Sequence, residues 1–130
     1  MANVLVVEDD EQVRVLAESI LKDAGHTVCA ATGVDGSTAL IQSEQPLDVL
    51  FIDLNLGSDL EAGLRVAQVA RDCRPKLGVL YTTGAGVNEG MKALFTEPFL
   101  FLPKPYTAEQ LTKSVTYLLM QGKERPKVTL

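Results

Sequence analysis

Apolar residues fall in two rhythms along this chain. Short unbroken runs, Val4-Leu-Val-Val7, Val49-Leu-Phe-Ile52 and Leu77 to Tyr81, read as strands buried on both faces. Thr27 to Ala31 and Phe99 to Leu102 complete five predicted strands. Between them the spacing changes to that of helices. Val13, Leu16, Ala17, Ile20, Leu21 and Ala24 fall at i, i+3, i+4, i+7, i+8 and i+11, which predicts an amphipathic helix ended by Gly25. A weaker helix is expected from about Val34 to Ser43, stopped by Pro46. After a loop from Gly57 to Gly63, a third helix carries Leu64, Ala67 and Ala70 on its inner face. A small helix spans about Val87 to Phe95. In the last, Thr107 is the N-cap and Ala108, Leu111, Val115, Leu118 and Leu119 face inward, with Gly122 and Pro126 as its end. Strands alternating with helices predict an α/β, doubly wound parallel sheet of five strands with five helices.

Length and composition narrow the class. The 130 residues suit one domain at positions 1–122 with a frayed tail at 123–130 and no output domain. A net charge of −5 argues against a direct nucleic-acid partner. Cys29 and Cys73 share no metal-binding spacing with His26, the single histidine, and two buried thiols in a reducing compartment are expected. Neither a signal peptide nor a membrane span is recognisable, so a cytoplasmic location is expected.

The candidate chemistry sits where strands end. The first strand delivers Glu8 and Asp9, the third Asp53, the fourth Thr83, and the fifth reaches Lys104 just beyond its end. In a parallel sheet all these carboxyl ends share one edge, where ligands bind. Three gathered carboxylates repel unless a cation intervenes, and an oxygen-only set suits a hard ion such as Mg²⁺. With the metal, the Lys104 ammonium and the Thr83 hydroxyl each on one phosphoryl oxygen, Asp53 would be the nucleophile that forms an acyl phosphate. Asp10 reads as a helix cap only. Thr82 rivals Thr83, but neighbouring strand residues point to opposite faces, and Thr83 is preferred because small Gly84 follows it.

As a set, Glu8-Asp9, Asp53 at the end of a hydrophobic strand, Thr83-Gly84 and Lys104-Pro105 resemble the receiver domain of bacterial two-component response regulators, of which the single-domain chemotaxis regulator is the best-known shape. The resemblance covers residues 3 to 121. It implies a flavodoxin-like receiver fold with strand order 2-1-3-4-5. It also implies Asp53 as phosphoacceptor, Asp9 as direct Mg²⁺ ligand, Glu8 acting through water, and the Asn55 backbone carbonyl as a further ligand. Thr83 and Lys104 would sense the phosphate, and Phe101 would be the aromatic switch coupled to the face made by the fourth helix, fifth strand and fifth helix. The peptide before Pro105 would be cis. Asn55 and Ala85 occupy positions that tune acyl-phosphate lifetime. Departures from the family pattern are Gly57 in a proline's place, Gly63 about two residues late, and Tyr106 instead of phenylalanine.

The expected function is a phosphoacceptor switch in a phosphorelay, loaded by a sensor histidine kinase or a histidine phosphotransfer protein and read out by protein binding. A phosphorylation-independent docking module is the alternative. A true enzyme is not expected. Phosphatases of the aspartyl-nucleophile class want Asp-x-Asp, and the residue two beyond Asp53 is Asn55, which cannot protonate a leaving group.

Overall fold

The computed structural model describes residues 2–57, 59–84, 87 and 89–124. The strands are β1 (Asn3–Val7), β2 (Thr27–Ala31), β3 (Val49–Asp53), β4 (Gly78–Thr82) and β5 (Phe99–Phe101). The helices are α1 (Glu11–Asp23), α2 (Val34–Gln42), α3 (Leu60–Cys73), α4 (Glu89–Lys92) and α5 (Ala108–Glu124). All strand pairs are parallel, in the order β2-β1-β3-β4-β5. The architecture is therefore the expected one.

Alternation along the strands sorts the core into two layers. Leu5, Val7, Leu50, Ile52, Val79 and Tyr81 pack with α2 and α3 through residues such as Ile41, Val66 and Ala70. Val4, Val6, Val49, Phe51 and Leu80 face the other way, onto Ala17 and Leu21 of α1 and Leu111, Val115 and Leu118 of α5. Being covered on both sides, β3 and β4 are buried at every position, while the edge strands β2 and β5 are only partly so. This is why the central strands read as continuous apolar runs.

The helix ends follow local chemistry. Asp10 caps α1 by accepting the amides of Gln12 and Val13 at 3.0 and 3.1 Å. Gly25, at φ +96°, closes it, with its amide on the Lys22 carbonyl and that of His26 on Leu21. Thr107 and Gln110 form a reciprocal capping box at α5, with bonds of 3.0 and 2.8 Å.

Five expectations need correction. Cys73 is exposed and Cys29 only half-buried, so the thiols are not the buried pair expected. Leu16 is 60% exposed and Ala24 is exposed too, so the inner stripe of α1 narrows to Ala17 and Leu21 with Ile20 half-buried beside them. Helix α3 begins at Leu60, capped by Asp59, which puts Gly63 inside the helix and not in the loop before it. Helix α4 holds only Glu89–Lys92, because no residue in it is buried and a single turn has little else to stabilise it. Helix α5 runs through Gly122 to Glu124, past its expected end; residues 125–130 and Ala85 lie outside the described residues.

Candidate active site at the carboxyl edge of the sheet

The strand order reverses between β1 and β3, opening a crevice at their carboxyl ends. Glu8 and Asp9 follow β1 directly, and Asp53 is the last residue of β3. The carboxylates of Glu8, Asp9 and Asp53 each offer an oxygen within 4.8 Å of the others. Glu8 and Asp53 are each only 5% exposed, while Asp9 lies at the solvent side. Asp53 Oδ1 accepts the Asn55 amide at 2.9 Å, and Asp9 Oδ2 accepts the Gly57 amide at 2.8 Å. The second bond ties the loop after β3 to the end of β1, and Gly57 reaches it at φ +68°, a conformation suited to glycine.

Lys104 arrives from the far side. Past β5 the chain still runs beside β4, with the Leu102 amide on the Tyr81 carbonyl and the Lys104 amide on that of Thr83. The Lys104–Pro105 peptide is cis, as expected, and so is Glu97–Pro98. The Lys104 ammonium bridges Asp53 Oδ2 at 2.7 Å and Glu8 Oε1 at 3.0 Å. Residues separated by up to 96 positions thus meet in one ion-paired cluster.

The electrostatics reflect crowding and burial. Burial pushes the Glu8 carboxyl up to about 7, and the nearby Asp53 charge adds to this. The Lys104 bond and the Asp10 amide pull the other way but do not win. Burial works against the Lys104 charge, yet its bonds with Asp53 and Glu8 outweigh that and raise its pKa. Such a site has surplus negative charge and oxygen donors, which suits a hard cation. Mg²⁺ is such an ion, and it typically takes one or two carboxylates while keeping several waters.

Thr82 and Thr83 are both 2% exposed. Thr82 pairs with Asp53 in the sheet, whereas Thr83 lies one residue beyond the strand, where alternation no longer dictates its direction. A β-carbon at Gly84 would come no nearer than 4.0 Å to the Lys104 stem, so the step after Thr83 stays open. Phe101 is half-buried on β5, its ring centre 6.2 Å from that of Phe95. Tyr106 is half-buried and edge-on to Phe51 at 5.7 Å, and burial pushes its hydroxyl up to about 12.

Three residues that hold the framework around the site and beneath it escaped the sequence reading. Gly63 presses against the peptide that carries Asp53: a β-carbon there would lie 2.5 Å from Leu54 Cα and 2.7 Å from the Asp53 carbonyl oxygen. Its displacement from the usual glycine position was the available signal. Tyr81 is fully buried, stacked on Phe95 at 4.0 Å, and its hydroxyl accepts the Thr96 amide at 3.3 Å. From the last turn of α3, the Arg71 guanidinium donates to the Pro75, Leu77, Thr96 and Pro98 carbonyls and to Thr96 Oγ1, at 2.7–3.1 Å. No local sequence pattern announces such a clamp, since Thr96 and Pro98 lie 25 and 27 residues further along the chain.

Residues 4–116 match the family model of the response regulator receiver domain. An NtrX-like response regulator of Rickettsia bellii is 26% identical over 113 residues, covering 85% of this chain and 23% of that protein. The DNA-binding transcriptional regulator NtrC of Proteus hauseri is 28% identical over 109 residues, 83% of this chain and 22% of the relative. The chain therefore spans under a quarter of the length of these curated relatives. A receiver protein from Sinorhizobium medicae superimposes with a TM-score of 0.85 at 26% identity, covering 93% of this chain and 96% of its own. NtrX from Brucella abortus gives 0.81 at 28% identity, over 95% of this chain and 27% of that one.

Proposed function

Because the chain belongs to the response regulator receiver domain family, and hence to the phosphoacceptors of two-component signalling, we propose that Asp53 is its acceptor. The observation that carries this is the single ammonium of Lys104 held between Asp53 and Glu8, beside Asp9. An Asp53 oxygen attacks the phosphorus of a phosphohistidine on a kinase or phosphotransfer protein. The N–P bond breaks, and its electron pair stays on the imidazole. Lys104 then moves its bond from the carboxylate to the incoming phosphoryl group, where the negative charge now lies. Thr83 supplies a second donor on that group.

Glu8, Asp9, Asp53 and the Asn55 carbonyl would hold Mg²⁺, which neutralises phosphoryl charge when bound. The chain turns over no separate substrate: Asn55 stands where a phosphatase of this chemistry needs an acid. Departure of Lys104 and drawing-in of Thr83 would free Phe101 to change rotamer and repack the face of α4, β5 and α5, altering partner affinity. No helix among the described residues is long and apolar enough to cross a membrane.

Incubation with acetyl phosphate and Mg²⁺ tests the reading. One alkali-labile, hydroxylamine-labile phosphoryl group per chain is expected by mass spectrometry, and none on Asp53→Asn. Equal labelling of Asp53→Asn would remove Asp53 from the role.

A further inference from the structure

Among the described residues, two buried side-chain polar atoms have no hydrogen-bond partner, Asn55 Oδ1 and Thr82 Oγ1. Both border Asp53: Asn55 is two residues on, and Thr82 is its partner in the β3–β4 register. Residues in register on parallel strands share a face. Val49, Phe51 and Leu80 belong to the layer under α1 and α5, so Asp53 and Thr82, continuing that alternation, both project to that side. Buried hydroxyls almost always have a partner, and valine would fill this position without leaving one unmet. A threonine here therefore calls for a state in which its hydroxyl is used.

We propose that Thr82 is a positioning residue for the acyl-phosphate cycle, its hydroxyl donating to the Asp53 carboxylate as charge returns to it during hydrolysis. This rests on Asp53 being the phosphoacceptor. In the resting arrangement the carboxylate already has its donors, the Asn55 amide on Oδ1 and Lys104 on Oδ2, and Thr82 is idle. Acylation moves the negative charge to the phosphoryl group, and Lys104 follows it. In hydrolysis a water oxygen attacks phosphorus and the P–O bond to Asp53 breaks, its electron pair staying on the carboxylate. The water protons leave with inorganic phosphate as the dihydrogen anion. The carboxylate thus regains charge while Lys104 is still engaged with phosphate. A hydroxyl one strand away, about 4.8 Å in a sheet, reaches it by rotation about χ1. Being shielded from water, that hydroxyl gives up no solvent bond to do so, which makes the new bond more effective.

The test compares wild type, Thr82→Val and Thr82→Ser in the full chain, labelled with acetyl phosphate and Mg²⁺ and freed of donor. Acyl-phosphate decay is followed alongside thermal melting. Thr82→Val should lengthen the half-life roughly 3- to 10-fold, and it should melt at or above the wild-type temperature because the orphaned hydroxyl is gone. Thr82→Ser, which keeps the hydroxyl, should decay within about twofold of wild type. Decay of Thr82→Val within that same margin, or equal shifts in both variants, would overturn the proposal in favour of simple packing. A wild-type protein that takes no label instead defeats the phosphoacceptor reading, and this inference falls with it.

Discussion

Gly63→Ala offers a sharp test of how α3 seats the strand that ends in Asp53. The new β-carbon would meet Leu54 Cα at 2.5 Å and the carbonyl oxygens of Asp53 and Leu54 at 2.7 Å each. An ordinary contact begins near 3.4 Å, so α3 must retreat by about 0.7–0.9 Å. All three obstacles are backbone atoms of the site strand, and no rotamer change can relieve them. Overpacking of this kind costs about 1–3 kcal/mol. Alanine's better helix propensity returns at most about 1 kcal/mol. The expected net loss is up to about 2 kcal/mol, a fall of as much as roughly 8 °C in melting temperature.

Gly36→Ala is the matched control, since its β-carbon would meet only the Ala31 methyl at 3.7 Å in helix α2. There the propensity gain should stand alone and raise stability by roughly 0.5 kcal/mol. Urea denaturation at one pH reads both values, and acetyl phosphate labelling should slow in Gly63→Ala alone, because the Asp53 carbonyl is displaced with the strand. A Gly63→Ala protein as stable as Gly36→Ala would refute the close-packing argument.

The remaining predictions concern charge, clamp and surface. In the metal-free protein the folded Glu8 carboxyl titrates near 7 against an ordinary 4.5, so the folded state binds a proton that the unfolded chain has lost between those values. Stability should therefore fall as pH rises through that window; a Glu8→Gln protein with the same slope in denaturant titrations would contradict this. Arg71→Lys takes the guanidinium's paired donors from the Thr96 carbonyl and hydroxyl, while the Pro98 carbonyl keeps the Val79 amide, and should cost about 1–3 kcal/mol in urea unfolding. A change under about 0.5 kcal/mol would show that the clamp is not engaged. Leu16→Ser should change stability by less than about 0.5 kcal/mol because Leu16 faces solvent. A loss near that of a core leucine would mean α1 is rotated.

Five parallel strands, their helices and the site's edge were legible in the sequence because each rests on local rules. A strand covered on both faces must be apolar throughout, as Val49 to Ile52 is, and caps such as Asp10 and Thr107 bond amides within three residues of themselves. The polar residues at strand ends could be placed together from topology alone, since parallel strands share a carboxyl edge. Helix α4 was overestimated and Leu16 misplaced because periodicity reports an apolar stripe without saying whether anything packs against it.

What only tertiary structure decided are contacts whose partners are distant backbone or a single oxygen. Gly63 matters because another segment's carbonyls lie beneath it, and Arg71 because its acceptors converge from two connections. Lys104 could be assigned to the site by its position, but its sharing between Asp53 and Glu8 depends on distances of a few tenths of an ångström. Likewise, Thr82 and Thr83 differ by one place in the chain, yet strand register alone puts Thr82 beside Asp53. Composition and periodicity act over one helical turn or one strand, whereas these interactions are set by how the layers dock.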